Sequence, residues 1–109
     1  MKEVTEQVME QELQAGQIAM VFVHTPFCAT CQLAERMLYI LEEAEQEECF
    51  YRLNASFFPD FMEQQQISSV PALLLLQEGV VVEQIYAFES VTNMFHVLER
   101  WRQKQSISF

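Results

Sequence analysis

Positive charge is scarce in this sequence of 109 residues, which holds six lysine and arginine residues against 16 aspartate and glutamate residues. The formal net charge at pH 7 is -10, and the few basic residues form no patch or stripe. Nucleic acids and anionic membrane surfaces are repelled by a chain of this kind. The composition therefore argues against both classes of partner.

Long apolar runs are also missing. The most hydrophobic stretch, VPALLLL at residues 70–76, is much shorter than the roughly 20 residues that a helix needs to cross a bilayer. The opening residues, MKEVTEQVMEQELQ, mix acids and amides where a signal peptide has a basic end and an apolar run. We expect a cytoplasmic protein that does not associate with membranes.

Glycine and proline are rare, with two and three residues, and no low-complexity tract or linker divides the chain. Half of the residues are hydrophobic, and the length is sufficient to bury a core without disulfides or metals. We therefore predict one folded domain over residues 1–109. Nothing in the sequence requires more than a monomer.

Cysteine is limited to three residues, and this odd number does not suit a framework of structural disulfides. Cys28 and Cys31 lie close together in the stretch HTPFCATCQLAERML, whereas Cys49 is distant in sequence. Thiols stay reduced in the cytoplasm. The pair Cys28 and Cys31 is therefore predicted to be either catalytic or metal-binding.

Hydrophobic periodicity predicts a strand, a helix and a second strand around this pair. Residues 17–25, QIAMVFVHT, have the apolar pattern of a strand buried on both faces, and a helix follows from Cys28. CFYRLN at residues 49–54 is the next strand, which completes a βαβ unit with parallel strands. The acidic run EEAEQEE at residues 42–48 is expected to be a solvated helix end. The packed face of the helix is predicted to carry Leu33, Met37, Ile40, Leu41 and Ala44.

The rest of the pattern predicts a helix, a hairpin and a helix. A short helix begins at Pro59, and residues 71–77 and 80–88 form an antiparallel hairpin across a Glu-Gly turn. Ser90 is the expected N-cap of the last helix. The sum is an α/β domain with a central mixed sheet and helices on both faces. An opening helix and a short edge strand complete the set, at residues 5–15 and at Glu3 and Val4.

With its cysteine pair at a strand-to-helix junction, the sequence resembles the thioredoxin-like family over nearly its whole length. ISSVPALLLLQEGVVV at residues 67–82 is similar to the thioredoxin stretch of a cis-proline, an apolar strand, a glycine turn and another strand. The resemblance implies a thioredoxin fold, with Cys28 as the attacking cysteine and Cys31 as the resolving one. It also implies a cis Val70–Pro71 bond that faces them.

The sequence departs from the family pattern at several positions. Ala29-Thr30 stands between the cysteines in place of Gly-Pro, and Phe27 precedes them where tryptophan is usual. Phe22 occupies the position of a buried acid that exchanges protons with the second cysteine, and Arg52 replaces the lysine partner of that acid. The usual proton route is therefore missing, and the chain is a divergent member.

Thiol–disulfide exchange starts from a thiolate, and an unperturbed cysteine with a pKa near 8.5 is only about 3% ionised at pH 7. No lysine or arginine lies between residues 3 and 35 to stabilise the anion. At the predicted helix start, Cys28 would instead face free backbone N–H groups and the positive end of the helix dipole. The spacing places Cys31 one turn further on, where it can attack a mixed disulfide and release the reduced substrate.

Other residues are candidates for substrate contact. Pro71 at the head of a strand has no N–H for the ladder, which leaves the Val70 backbone available to an extended substrate peptide. The alternative is an ordinary proline at a strand start. Phe27, with Phe57 and Phe58, would add an exposed apolar rim around the thiols.

His24 lies four residues before the first cysteine, near the end of the first long strand. It is a candidate for the proton transfer that the missing acid would perform. The alternative is a structural histidine that is hydrogen-bonded at a strand end. Arg52 lies either under the site or on the surface with its stem along apolar groups.

A metal site is the competing explanation, because His24, Cys28, Cys31 and Cys49 are numerically a Cys3His set for zinc. If the two strands are parallel, Cys49 begins one strand while the cysteine pair follows the end of the other. The offset is about 16 Å, which no zinc coordination sphere spans. We therefore expect no metal and no other cofactor, and we expect Cys49 to be a core or edge thiol.

These observations together predict a cytoplasmic thiol–disulfide oxidoreductase that reduces disulfide-containing proteins, since the compartment is itself reducing. A thioredoxin reductase is the partner that would return it to the dithiol form. A binding or adaptor module of the same fold, with a vestigial cysteine pair, is the leading alternative, and the missing acid favours it. A zinc-binding module is the third possibility.

Overall fold

A computed structural model describes residues 1–15 and 18–107 of the chain. None of the helices in these ranges has the length and the apolar character needed to cross a membrane. In chain order the elements are β1 (Lys2–Glu3), α1 (Glu6–Val8), which continues as a π-helical segment (Met9–Leu13), β2 (Ala19–His24), α2 (Ala29–Glu45), β3 (Tyr51–Asn54), a 3-10 turn (Ala55–Phe57), α3 (Pro59–Gln64), β4 (Ala72–Gln77), β5 (Val80–Ile85) and α4 (Val91–Ile107).

The strands form one mixed sheet in the order β1-β3-β2-β4-β5. β3 runs parallel to both β1 and β2, and its last residue, Asn54, pairs with His24 at the end of β2. β4 runs antiparallel to β2 and to β5. The predicted βαβ unit and hairpin are both confirmed. The carboxyl ends of β2 and β3 lie side by side at one end of the sheet.

Helices cover both faces of the sheet, as predicted. Along β2, Met20 and Phe22 pack into a core with side chains of α2 and α4. Val21 and Val23 alternate with them and pack into a second core, with side chains of the π-helical segment and α3. A strand that is buried on both faces explains why the sequence of β2 is almost continuously apolar.

The helix α2 buries a different face from the predicted one. Leu33 and Ile40, which were expected to pack inward, are 55% and 50% exposed. Met37 is half-buried, Ala44 is exposed, and Leu41 alone is buried as predicted. Two neighbouring stripes of this helix repeat at helical spacing, and periodicity alone does not tell which of them faces the sheet. The buried stripe consists of Cys31, Ala34, Leu38, Leu41 and Glu42.

Glu42 belongs to the acidic run that was predicted to be solvated, and at this residue the prediction is wrong. Its carboxylate is buried and accepts hydrogen bonds from the backbone N–H groups of Cys49 at 2.8 Å and Phe50 at 3.1 Å. It also pairs with the ammonium group of Met1 at 2.9 Å. Burial of this charge is tolerated because three donors bond to the carboxylate, and the contact joins the end of α2 to the start of β3.

The boundaries of several strands differ from the predicted ones. The first predicted strand began at residue 17, which lies outside the described residues. The next begins at Tyr51 rather than at residue 49, because the N–H groups of Cys49 and Phe50 bond to Glu42 instead of to a neighbouring strand. The edge strand is Lys2–Glu3, and Val4 beside it is buried in the core.

The turn between β4 and β5 is formed by Glu78 and Gly79, which both adopt positive φ angles, of 54° and 78°. Two left-handed residues in sequence give a type I′ turn, whose twist matches that of the flanking strands. A Cβ atom on Gly79 would lie 3.3 Å from the backbone of Gln14. Glycine therefore suits this position both for its backbone and for the space around it.

Polar contacts fix α4 at its start and along its length. The Ser90 hydroxyl accepts a hydrogen bond from the N–H of Asn93 at 3.0 Å, which confirms Ser90 as the N-cap. Trp101 is fully buried against the sheet, and its indole N–H donates to Glu83 of β5 at 2.5 Å. The last helix is therefore held to the sheet by apolar packing and by hydrogen bonds from Arg100, Trp101 and Lys104 to Glu83.

Candidate active site

The two closely spaced cysteines meet at the start of α2, as their spacing predicts. Cys28 is the N-cap residue, and its Sγ accepts a hydrogen bond from the N–H of Cys31 at 3.2 Å. The two Sγ atoms are within disulfide-bonding distance, and the Cα atoms are 5.2 Å apart. Cys31 is only 3% exposed, whereas Cys28 is half-buried. A protein in solution can therefore reach the sulfur of Cys28 but not that of Cys31.

A third group lies against the sulfur of Cys28. The Thr30 hydroxyl is 3.4 Å from this sulfur, and it acts as the donor because a disulfide sulfur carries no proton. In the dithiol form the same hydroxyl and the Cys31 N–H would both face a thiolate, at the positive end of a helix of 17 residues. The start of α2 thus provides a stabilising environment for a negative charge on Cys28.

Phe27 directly precedes the pair and has an unusual backbone conformation. Its φ angle is 61°, in the left-handed region that bulky residues rarely adopt. The ring is fully exposed to solvent. The chain reverses here between β2 and α2, and the turn leaves an apolar side chain beside the half-buried sulfur of Cys28. Nothing in the sequence signals this conformation, since no glycine or asparagine marks it.

Val70 and Pro71 lie at the same end of the sheet as the cysteine pair. The peptide bond between them is cis, and the next residue, Ala72, pairs with Val23 near the end of β2. Val70 is half-buried and contacts the cores on both faces of the sheet. The two predicted substrate-contact residues are therefore placed next to the strand that leads to Cys28.

His24 is 6% exposed at the end of β2, where its ring stacks on Phe22 with the centroids 5.8 Å apart. Together with both cysteines it lines an open cleft of about 260 Å³. Burial lowers the pKa of His24, and the guanidinium of Arg52 lowers this pKa further. Its Nε2 atom has no hydrogen-bond partner in the described part of the chain. A neutral imidazole with one unpartnered nitrogen therefore lies in the cleft of the cysteine pair.

Arg52 lines the same cleft, so its position under the site is the correct one of the two alternatives. Its Nε donates to Glu35 at 2.5 Å, and its Nη1 donates to Glu3 at 2.9 Å. Glu35 is not among the residues predicted from the sequence. The available signal was its position four residues after Cys31, which is one helical turn along the same side of α2.

The predicted aromatic rim is only partly exposed. Phe57, in the 3-10 turn after β3, is 74% exposed. Phe58 is half-buried and packs against the second core, so the prediction of an exposed ring is wrong for this residue. Phe27 lines the cleft of the cysteine pair, whereas Phe57 lines a neighbouring cleft that contains neither cysteine.

Cys49 lies at the opposite end of the sheet from Cys28 and Cys31, just before β3, and is half-buried. Arg102 approaches its sulfur at 3.6 Å, but burial is the larger effect and raises the pKa of this thiol. Among the described residues no group of three or more histidine, cysteine, aspartate or glutamate side chains is arranged to hold a metal ion. The Cys3His set is therefore not assembled.

Three comparisons place this geometry among known proteins. A family model described as Thioredoxin matches residues 1–100. The thioredoxin-like protein YusE of Bacillus subtilis (strain 168) is 39% identical over 83 residues, which are 76% of this chain and 78% of that protein. The zinc-bound form of human ERp44 matches 92% of this chain with a TM-score of 0.72 and 17% identity. This chain corresponds to 31% of the ERp44 chain, and at such low identity the likeness concerns the fold alone.

Proposed function

Since the chain belongs to the thioredoxin family and has its fold, we propose that it is a thiol–disulfide oxidoreductase that reduces disulfides in other proteins. The observation that carries this proposal is the asymmetry of the two sulfurs. Cys28 is reachable and hydrogen-bonded at a helix start, while Cys31 is buried behind it within bonding distance. An attacking and a resolving cysteine need these two environments.

The reaction proceeds in two exchanges. The Cys28 thiolate attacks one sulfur of the substrate disulfide, forms a mixed disulfide, and expels the other substrate sulfur as a thiolate that takes a proton from solvent. Cys31 then loses its proton and attacks the Cys28 sulfur, which breaks the mixed disulfide and expels the second substrate thiolate. Two electrons pass from the dithiol to the substrate, and the Cys28–Cys31 disulfide remains.

His24 accepts the proton that Cys31 loses. Phe22 has no titratable group, whereas His24 lines the same cleft as Cys31 and its Nε2 has no hydrogen-bond partner in the described part of the chain. A buried acceptor without a partner costs about 1–3 kcal/mol. The S–H of Cys31 would supply this partner in the dithiol form, and transfer of the shared proton to Nε2 would leave the Cys31 thiolate ready to attack.

The substrate backbone pairs with Val70, next to Pro71, and its apolar side chains contact the ring of Phe27. We place the reaction in the cytoplasm, where the reducing poise favours substrate reduction. A thioredoxin reductase would return electrons to the pair after each turnover. Disulfide-containing proteins are the substrates in this scheme.

The first experiment is a redox titration of the chain in defined thiol buffers, in which alkylated cysteines are counted by intact mass. A reversible two-thiol transition near about -270 mV would support a reductant, and a value near about -120 mV would indicate an oxidant instead. Cys28→Ser should abolish turnover of a protein disulfide, while the matched variant Cys49→Ser should retain it. A pair that forms no disulfide at any poise would contradict the proposal.

A second candidate function is a binding module whose cysteine pair no longer turns over. Phe22 favours it, because a phenylalanine at this position removes the usual proton acceptor. The same two variants separate the candidates. Under this alternative Cys28→Ser has no effect on partner binding and there is no turnover to lose.

A further inference from the structure

A second, larger cleft adjoins the cleft of the cysteine pair. It is open, has a volume of about 600 Å³, and lies at the carboxyl ends of β1 and β3. Arg52 and Asn54 line both clefts, so the two clefts meet at these residues. We call the larger part the β3-side groove and define it by Glu3, Glu6, Arg52, Asn54 and Phe57.

The β3-side groove lies on the opposite flank of the cysteine pair from Val70 and Pro71. In the sheet order, β3 and β1 are on one side of β2, and β4, which follows Pro71, is on the other side. Cys28 follows β2 and therefore stands between the two flanks. A polypeptide whose sulfur is bonded to Cys28 has chain on both sides of that sulfur, and one of those segments can enter the groove.

The chemistry of the groove is both apolar and acidic. Phe57 offers a ring that is mostly in solvent, beside the half-buried Phe58. Arg52 is already held by Glu3 and Glu35, with one carboxylate on each side. Glu6 lies exposed at the start of α1 and adds a third carboxylate. Two carboxylates and one cation therefore line the groove, and the charge of that cation is shared with Glu35 in the adjoining cleft, so the potential in the groove is negative.

We propose that the β3-side groove binds the segment of the substrate polypeptide next to its disulfide, and that it selects a segment with a lysine or arginine together with an apolar side chain. The cationic side chain lies over Glu6 and Glu3, and the apolar one packs on Phe57. This inference rests on the proposed function, because it concerns the substrate of the same cysteine pair. The net charge of -10 favours the same partners at longer range.

The test uses three peptides of equal length, each with one cysteine joined to thionitrobenzoate as a mixed disulfide. The residues beside the cysteine are lysine and leucine in the first peptide, glutamine and leucine in the second, and glutamate and leucine in the third. Attack of Cys28 on the peptide sulfur releases the coloured thionitrobenzoate anion, whose rate of appearance in a single turnover of the dithiol form gives the second-order rate constant. We expect the lysine peptide to react about fivefold faster than the glutamine peptide, and the glutamate peptide to react slowest.

Variants then locate the preference. Glu6→Gln should reduce the ratio between the lysine and glutamate peptides about two- to fivefold. Phe57→Ser should lower the second-order rate constant for all three peptides while the order among them persists. The matched control is Glu10→Gln, which removes the same charge from an exposed residue one helical turn further on and outside the groove. This control should leave the ratio unchanged.

Equal rates for the three peptides would overturn the inference, even if the wild-type chain reduces them well. Equal effects of Glu6→Gln and Glu10→Gln would also overturn it, since only the net charge would then matter. Failure of the proposed function is recognised separately, because the wild-type chain would then reduce no peptide and no small disulfide. In that event the same peptides with serine for cysteine are compared by fluorescence anisotropy, and equal binding of the three overturns the groove.

Discussion

The two ends of the parallel pair β2 and β3 differ in whether their polar groups are hydrogen-bonded. At the start of β3, the N–H groups of Cys49 and Phe50 are both bonded to Glu42, so each donor there has a partner. At the other end, His24 has a buried nitrogen without a partner in the described part of the chain. Phe27 beside it has a left-handed backbone and an exposed ring. One end is built for stability, and the other holds groups ready to make new contacts.

The two kinds of thiol differ in the same way. Cys49, at the start of β3, has its pKa raised by burial and remains a protonated thiol at neutral pH. Cys28 stands at a helix start with a backbone N–H and a hydroxyl directed at its sulfur. The lesson is that position on the sheet, rather than the presence of cysteine, decides which thiol can react. Unmade interactions of this kind concentrate at functional sites.

The largest expected effect comes from Cys31→Ser, which removes the resolving thiol and leaves the start of β3 unchanged. Without a resolving thiol, the mixed disulfide between Cys28 and the substrate should accumulate, and turnover should fall by at least about a thousandfold. Intact mass measurement of the trapped adduct checks this. Cys49→Ser is the matched control, with full turnover and no adduct. Equal adduct formation at Cys49 would remove the distinction between the two ends.

A smaller effect is expected from His24→Gln, which keeps a polar side chain but cannot titrate. The resolving step should slow about a hundredfold, measured as the decay of a preformed mixed disulfide by rapid quench. Because burial lowers the pKa of His24, the wild-type step should hold its rate down to about pH 6.5, where an ordinary histidine becomes protonated. Below that, the wild-type rate should fall, whereas the rate of His24→Gln should already decline from higher pH, because Cys31 must there lose its proton to solvent.

Stability provides a second readout of the same residue. With the pKa of His24 lowered in the folded state, the unfolded chain binds the proton first as the pH falls below about 6.5. The free energy of unfolding should therefore decrease on acidification through that range, and less so in His24→Gln. Identical urea midpoints for the two chains from pH 7.5 to pH 5 would show that His24 is not the buried neutral group described above.

The smallest expected effect concerns the hydrogen bonds of Glu42 at the start of β3. Glu42→Gln should lower the free energy of unfolding by about 2 kcal/mol, because charge-assisted hydrogen bonds to the N–H groups of Cys49 and Phe50 become neutral ones. Urea denaturation measures it. Glu43→Gln, an exposed neighbour, should change stability by no more than about 0.5 kcal/mol. Turnover per folded molecule should be unchanged in both, and a loss of turnover in Glu42→Gln would couple the two ends.

The order of strands and helices could be predicted from the sequence because each element carries its own period. β2 is apolar on both faces, and the Glu78-Gly79 turn fixes the hairpin that follows Pro71. The placement of Cys28 at a helix start follows from the same pattern. These features are local, and local signals survive without knowledge of the fold.

Features that depend on two distant segments could not be predicted. The inward face of α2 is decided by what the sheet and α4 offer, and Leu33 fits the helical period as well as Ala34 does. Glu42 looks like part of a solvated run until the start of β3 is brought beside it. The Glu35–Arg52 pair likewise joins α2 to β3. The sequence shows which charged residues are present, but their partners come from distant segments and are known only from the fold.

The burial of Trp101 has a practical consequence for spectroscopy. It is the only tryptophan in the chain, it lies fully buried against the sheet, and its N–H is bonded to Glu83. An indole in such an apolar environment emits at shorter wavelength than one in water. The intrinsic fluorescence of the protein is therefore a label-free gauge of whether α4 is docked, and a red shift marks the moment at which this helix leaves the sheet.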